Sequence, residues 1–62
     1  MSQLPLRERK KLAAMRRIQE AALTLFSERG FAAVTIEQVA EEAEVSASTV
    51  YRYFGTKEGI VF

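Results

Sequence analysis

The sequence predicts an all-α domain made of three helices and the start of a fourth. Three observations support this fold class. Apolar residues recur at helical spacing, N-cap residues and glycines mark the helix ends, and no segment has the pattern of a strand. The chain has 62 residues, which is enough for one small domain. A domain of this size buries only about 60% of the surface that its unfolded chain exposes, so we expect marginal stability.

The first predicted helix runs from about residue 8 to residue 29. Its apolar face consists of residues at the spacing i, i+3 and i+7, namely Met15, Ile18, Ala22, Leu25 and Phe26. Gly30 follows, at the position where a left-handed C-cap is needed. We expect Phe31 to fold back onto Phe26, which is the contact of a Schellman ending.

The start of the second helix is marked by a complete set of capping signals. Thr35 is a suitable N-cap, and Gln38 stands where it closes a capping box. Val34 and Val39 occupy the two positions of a hydrophobic staple. The helix is predicted to be short and to end near Ala43.

The third helix begins only three or four residues later. Ser46 is its predicted N-cap, the helix runs from Ala47 to about Phe54, and Gly55 closes it. Thr56 then caps the start of a fourth helix. Two short helices joined by a tight turn, after a longer supporting helix, form a homeodomain-like helix-turn-helix.

Composition argues against several classes of protein. The chain contains no cysteine and no histidine, so it lacks a thiolate and the usual acid–base group of neutral pH. We therefore expect no enzymatic activity, no metal site and no cofactor. The apolar runs fall far short of the roughly 20 residues that span a bilayer, and the first residues lack the layout of a signal peptide. A cytoplasmic protein is expected.

The net charge of +1 hides an asymmetry along the chain. Residues 1–17 carry six basic side chains and one acidic one, whereas the remainder carries three basic and seven acidic ones. We therefore divide the chain into a basic N-terminal arm, residues 1–11, and a helix-turn-helix domain, residues 12–62. A basic arm indicates a polyanionic partner, and the alternative is a solvated helix face.

A series of residues from position 17 onward carries a family resemblance. It comprises Ile18, Ala21-Ala22, Leu25-Phe26, Gly30-Phe31, Thr35, Val39-Ala40, Val45-Ser46, Thr49-Val50-Tyr51, Tyr53-Phe54 and Lys57-Glu58. This series resembles the N-terminal DNA-binding domain of TetR-family regulators, and residues 45–58 carry most of the specificity. The chain departs from the family pattern at Glu44, where glycine is usual, at Ile36, where a second threonine is frequent, and at Gly59.

The resemblance implies the operator-recognition head of a transcriptional repressor in a bacterial cytoplasm, associated with the nucleoid. Its partner would be double-stranded DNA with a palindromic operator. The family's homodimer forms through a C-terminal domain that also binds a small-molecule inducer. That domain is not part of this sequence, and because the chain stops inside a capped helix we expect it to be a fragment.

A helical wheel separates two faces of the third helix. Val50 and Phe54 point towards the other helices, whereas Ser48 and Arg52 point away from them. An outward face that is small and polar suits insertion into the major groove, which is about 12 Å wide. The predicted base-reading residues on and beside this face are Ala47, Ser48, Thr49, Tyr51 and Arg52.

Alternatives remain open for three of these residues. Arg52 can pair bidentately with guanine, and its alternatives are a phosphate contact or a bridge to a glutamate. Thr49 can offer its methyl group to thymine or bond back to the helix backbone. Tyr51 matches a family position that contacts DNA, and its alternative is a place at the edge of the core.

A second set of residues is predicted to contact phosphates. Its members are Thr35, Ser46, Tyr53, Lys57, Arg16 and Arg17. For Thr35 and Ser46 the alternative is capping alone. Arg16 and Arg17 cannot both face DNA, because successive helical side chains diverge by about 100°.

Two other functions compete with sequence reading. The first is a non-sequence-specific helix-turn-helix used for architecture or protein contact rather than for sequence reading, and the presence of Arg52 on the outer face argues against it. The second is a basic amphipathic segment, residues 7–26, that lies on a membrane surface. Its apolar face is explained more simply as the core beneath the helix-turn-helix, so we expect no membrane partner.

Overall fold

The computed structural model describes residues 5–61 of the chain. Its elements are α1 (Leu6–Arg29), a short 3₁₀ turn (Phe31–Ala33), α2 (Ile36–Ala43), α3 (Ala47–Phe54) and α4 (Lys57–Val61). Within these described residues every regular element is helical, which confirms the predicted all-α class. A three-residue turn joins α2 to α3 and gives the predicted helix-turn-helix.

Helix α1 begins at Leu6, two residues earlier than predicted. Pro5 stands immediately before the helix with φ −55°, and its carbonyl oxygen accepts a hydrogen bond of 3.0 Å from the Arg9 N–H. Proline is tolerated at a helix start, since the N–H that it lacks has no helical partner there. Residues 6–11 of the predicted arm are therefore the first turns of α1, and residues 1–4 lie outside the described part.

The end of α1 differs from the prediction at Gly30. Its N–H bonds to the Phe26 oxygen at 2.9 Å, and its φ of 87° is positive, but its ψ of 148° lies outside the left-handed helical region. The predicted left-handed cap is therefore wrong, because the backbone leaves α1 extended to enter the 3₁₀ turn. The predicted contact of Phe26 with Phe31 is confirmed, with ring centroids 4.8 Å apart.

The predicted caps of α2 and α3 are confirmed. The Thr35 hydroxyl accepts from the Gln38 N–H and the Gln38 side chain accepts from the Thr35 N–H, both at 3.1 Å. The Ser46 hydroxyl accepts from the Thr49 N–H at 3.3 Å. These bonds satisfy N–H groups that a helix start leaves without a partner, so local sequence fixes where both helices begin.

The core lies between α1 and the helix-turn-helix, and one residue of α4 completes it. Its buried members are Ile18, Ala21, Ala22, Leu25, Val34, Ile36, Val39, Ala40, Ala43, Val50 and Ile60. Met15 and Phe26, which the helical spacing placed on the core face, are only half-buried. Residues 6–17 of α1 contribute no buried side chain, so this basic part of α1 lies beyond the core. No helix within residues 5–61 has both the length and the apolar character needed to cross a bilayer.

Gly59 departs from the family pattern, and the packing of α4 explains why a glycine stands there. A Cβ atom at this position would collide with the backbone oxygen of Phe54, at the end of α3. Alanine has the higher helix propensity, but here it would force α4 away from α3. The glycine therefore permits the tight approach of α4 to the end of α3.

Glu44 occupies the turn in a strained conformation, with φ 61° and ψ 41°. A residue with a Cβ pays roughly 1–2 kcal/mol in this left-handed region. Arg17 partly offsets the cost, since its guanidinium donates to the Ala43 oxygen at 2.8 Å and to the Glu44 carboxylate at 3.3 Å. The side chains of Arg17 and Glu44 are 53% and 83% exposed, so the ion pair contributes at most about 1 kcal/mol.

Replacement of Glu44 by glycine is expected to raise the free energy of unfolding by about 1 kcal/mol, because the relief of strain exceeds the loss of an exposed ion pair. Glu44→Ala is the matched control, since it removes the carboxylate and keeps the strain; we expect it to be neutral or destabilising. Urea denaturation monitored by circular dichroism measures both variants. Equal destabilisation by glycine and alanine would show that the ion pair outweighs the strain.

Candidate nucleic-acid interface

Helix α3 has the two faces that the helical wheel predicts. Val50 is fully buried, and Ala47 and Phe54 are half-buried against the core. Ser48 and Arg52 are exposed on the opposite side. The outer face of α3 is therefore available to a partner and carries small polar groups around one long cation.

The start of α3 carries three linked hydroxyl groups. The Ser46 hydroxyl lies 2.8 Å from that of Thr49 and 3.1 Å from that of Ser48. The Thr49 hydroxyl is thus paired with the Ser46 side chain rather than with a helix carbonyl. A hydroxyl has one hydrogen and two acceptor sites. The Ser46 hydroxyl, which also accepts from the Thr49 N–H, uses all three, whereas the Ser48 and Thr49 hydroxyls retain capacity for a further partner.

Arg52 makes no ion pair within residues 5–61, which leaves its guanidinium available. It borders a groove of about 600 Å³ between the start of α1 and the end of α3. Arg7, Lys10 and Lys11 of α1 line the same groove and outnumber the one acidic residue in its lining, Glu8. The groove therefore collects positive charge beside the outer face of α3, which is an arrangement suited to a polyanion.

Tyr53 connects the basic part of α1 to α3. It is half-buried and packs against the core, and the ammonium group of Lys11 lies 5.9 Å from its ring centroid. A cation at this distance from an aromatic ring is attracted by the negative face of the ring. The start of α1 is thus held alongside the end of α3.

Tyr51 lies on the surface rather than at the edge of the core, with 47% of the residue exposed. Its hydroxyl donates a hydrogen bond of 3.1 Å to the carboxylate of Glu37, in the first turn of α2. This bond, together with smaller effects of burial and of the negative charge of Glu37, raises the pKa of Tyr51 above its ordinary value of 10.0. Glu37 is a residue that the sequence reasoning did not place at the interface.

Lys57 is engaged with the protein itself. Its ammonium group donates to the carbonyl oxygens of Phe31 at 2.7 Å and Val34 at 2.9 Å, and it lies 4.5 Å from the centroid of the Phe31 ring. An ammonium group has three donors, so one remains for a phosphate. Lys57 therefore ties α4 to the 3₁₀ turn, and the phosphate contact stays a prediction.

The other predicted phosphate-binding residues divide into two groups. Thr35 and Ser46 cap α2 and α3 and remain exposed. Arg17 is turned towards the end of α2, whereas Arg16 is exposed beside Arg9. Arg16 can therefore contact a phosphate directly, whereas Arg17 would first lose its hydrogen bonds to Ala43 and Glu44. The phosphate contacts themselves stay predictions.

Comparison with known proteins gives a consistent family. The profile described as "Bacterial regulatory proteins, tetR family" matches residues 18–62. The chain is 50% identical over 54 residues to the HTH-type transcriptional regulator HbdR of Aromatoleum sp. (strain CIB), covering 84% of this chain and 24% of HbdR. It is 48% identical over 42 residues to the HTH-type transcriptional repressor KstR of Rhodococcus jostii (strain RHA1), covering 68% of this chain and 20% of KstR.

A third relative aligns over nearly the whole chain. The HTH-type transcriptional repressor Rv3405c of Mycobacterium tuberculosis (strain ATCC 25618 / H37Rv) is 38% identical over 66 residues, covering 98% of this chain and 35% of Rv3405c. The chain thus spans between 20% and 35% of the length of these three relatives. The helix-turn-helix geometry and the profile match over residues 18–62 agree: the chain belongs to the tetR family of bacterial regulatory proteins.

Proposed function

We propose that this chain binds double-stranded DNA in a sequence-specific manner, as the operator-recognition head of a transcriptional repressor. The observation that carries the proposal is the outer face of α3, where Ser48 and Arg52 are exposed and Arg52 has no ion-pair partner within residues 5–61. Membership of the tetR family supports it, as do the relatives HbdR, Rv3405c and KstR, which are named as transcriptional regulators or repressors.

In this proposal α3 enters the major groove. Arg52 pairs with the O6 and N7 acceptors of a guanine, and its neighbours on the same face add weaker contacts to adjacent bases. The proposed base-reading set is Ala47, Ser48, Thr49, Tyr51 and Arg52. Contacts to bases specify the sequence, and contacts to phosphates position the protein.

Phosphate contacts supply most of the affinity in the proposed complex. The proposed set is Thr35, Ser46, Tyr53, Lys57, Arg16 and Arg17, of which Arg17 would first have to leave the end of α2. The basic start of α1, residues 6–11, extends the positive surface beside α3. Because residues 6–11 are helical, they meet the DNA as a helix surface rather than as an extended strand.

We further propose the organisation of the intact protein. A basic arm, residues 1–11, and the helix-turn-helix domain, residues 12–62, would precede a C-terminal domain that dimerises and binds a small-molecule inducer. Two heads would then read a palindrome with half-sites about one helical turn apart. The short span of this chain relative to its relatives supports a longer protein. We propose a location in the bacterial cytoplasm, at the nucleoid, and no enzymatic activity, in keeping with a family of regulatory proteins.

Selection of bound duplexes from a random DNA pool tests the proposed function. The experiment is run at low salt, because phosphate contacts then raise affinity. We expect the chain to enrich one short half-site that contains a guanine, and to bind it more tightly than a shuffled duplex of the same composition. Binding without enrichment would instead assign the chain to the non-sequence-specific architectural class.

A further inference from the structure

We infer that Glu37 and Tyr51 together form a base-reading pair that selects the exocyclic amino group of adenine or cytosine in the major groove. The inference rests on the proposed function and adds Glu37 as a specificity-determining residue. It also states which chemical group Tyr51 recognises. The two residues come from different helices of the helix-turn-helix, α2 and α3.

The inference depends on which residue donates the hydrogen bond between Tyr51 and Glu37 and which accepts it. An ionised carboxylate only accepts hydrogen bonds, and a phenol has a single hydrogen to donate. At 3.1 Å from the Glu37 oxygen, the Tyr51 hydroxyl directs that hydrogen to Glu37. The pair therefore presents only acceptor oxygens to a third group, namely the phenol oxygen of Tyr51 and the carboxylate oxygens of Glu37.

The pair keeps this polarity under ordinary conditions. The pKa of Tyr51 is raised above 10.0, chiefly by the same hydrogen bond, so the phenol holds its proton at neutral pH. Both side chains are exposed, so a partner can reach them. Glu37 and Tyr51 thus act towards a partner only as hydrogen-bond acceptors. Arg52, the next residue of α3, acts only as a donor.

Only two groups on the edges of the bases complement such an acceptor. In the major groove the donors are the N6 amino group of adenine and the N4 amino group of cytosine, whereas guanine and thymine present acceptors or a methyl group. Phosphate oxygens also accept only, and their negative charge repels Glu37. The geometry therefore assigns Tyr51 to base contact and excludes a phosphate contact while its bond to Glu37 persists.

The test compares the half-sites that variants of this chain select from random DNA. Glu37→Ala frees the Tyr51 hydroxyl to donate as well as accept, and Tyr51→Phe removes it. Both variants are expected to lose, by about 3- to 10-fold, a preference for adenine or cytosine at one position. Glu42→Ala is the matched control, since it removes the same charge from α2 but lies in a groove against α1. It is expected to keep the preference.

A second measurement reports on the contact directly. Ultraviolet titration follows the two tyrosines of the chain; the pKa of Tyr51 is expected to fall towards 10.0 in Glu37→Ala and to stay raised in Glu42→Ala. If the unmodified chain enriches a site but Glu37→Ala and Tyr51→Phe select the same bases, the inference is overturned and the proposed function stands. If the unmodified chain enriches nothing, both are overturned.

Discussion

Arg52→Ala is expected to weaken binding to the selected half-site by about 10- to 100-fold, which corresponds to the loss of one bidentate contact to a guanine. Binding to shuffled DNA is expected to fall by much less, because only one positive charge is lost. The preference for guanine should disappear at one position and persist elsewhere. Equilibrium titration of both duplexes, followed by fluorescence anisotropy, gives the two affinities.

Arg52→Lys is the control that separates charge from geometry. Lysine keeps the positive charge but lacks the planar fork that pairs with two acceptors. It should retain affinity for shuffled DNA and lose most of the discrimination. Equal loss on the selected and shuffled duplexes in Arg52→Ala would place Arg52 on a phosphate instead of a base.

Lys57→Met is expected to lower the free energy of unfolding by about 2 kcal/mol, because it removes two charge-assisted hydrogen bonds and leaves the carbonyl groups of Phe31 and Val34 without this partner. Methionine keeps most of the length and apolar stem of lysine. The loss is large for a domain of this size, whose total stability is expected to be about 3–9 kcal/mol. Urea denaturation measures it.

The same variant tests the predicted phosphate contact. Under conditions where Lys57→Met is folded, binding to all sequences should weaken by a similar factor, with a salt slope shallower by about 0.9. Lys10→Met is the matched control, since Lys10 is exposed and lines the groove beside Arg52; it should change the salt slope and leave stability intact. Unchanged stability in Lys57→Met would refute the structural role of Lys57.

Local signals in the sequence determined the helical architecture. Thr35 and Ser46 cap α2 and α3 as predicted, because a hydroxyl three residues before a backbone N–H acts within a single helical turn. Helix periodicity likewise separated buried Val50 from exposed Arg52, since side-chain direction follows from position along the helix. The division of α3 into a buried and an exposed face was therefore predictable.

The end of α1 shows where such signals fail. A glycine after a helix indicates that φ is positive, but ψ depends on where the chain must go next. At Gly30 the 3₁₀ turn follows at once, and ψ is 148°. Helix α1 also begins two residues before the predicted start, because Pro5 blocks no hydrogen bond at a helix start.

The sequence by itself determined which residues form each helix, which face of α3 is exposed and which family the chain resembles. Only the tertiary structure decided which hydrogen-bond partners the long side chains have. Lys57 bonds to residues 26 and 23 positions away, Arg17 to Ala43 26 positions away, and Tyr51 to Glu37 14 positions away. No local pattern encodes these pairings, because each depends on how separate helices pack and on which of several rotamers reaches a partner.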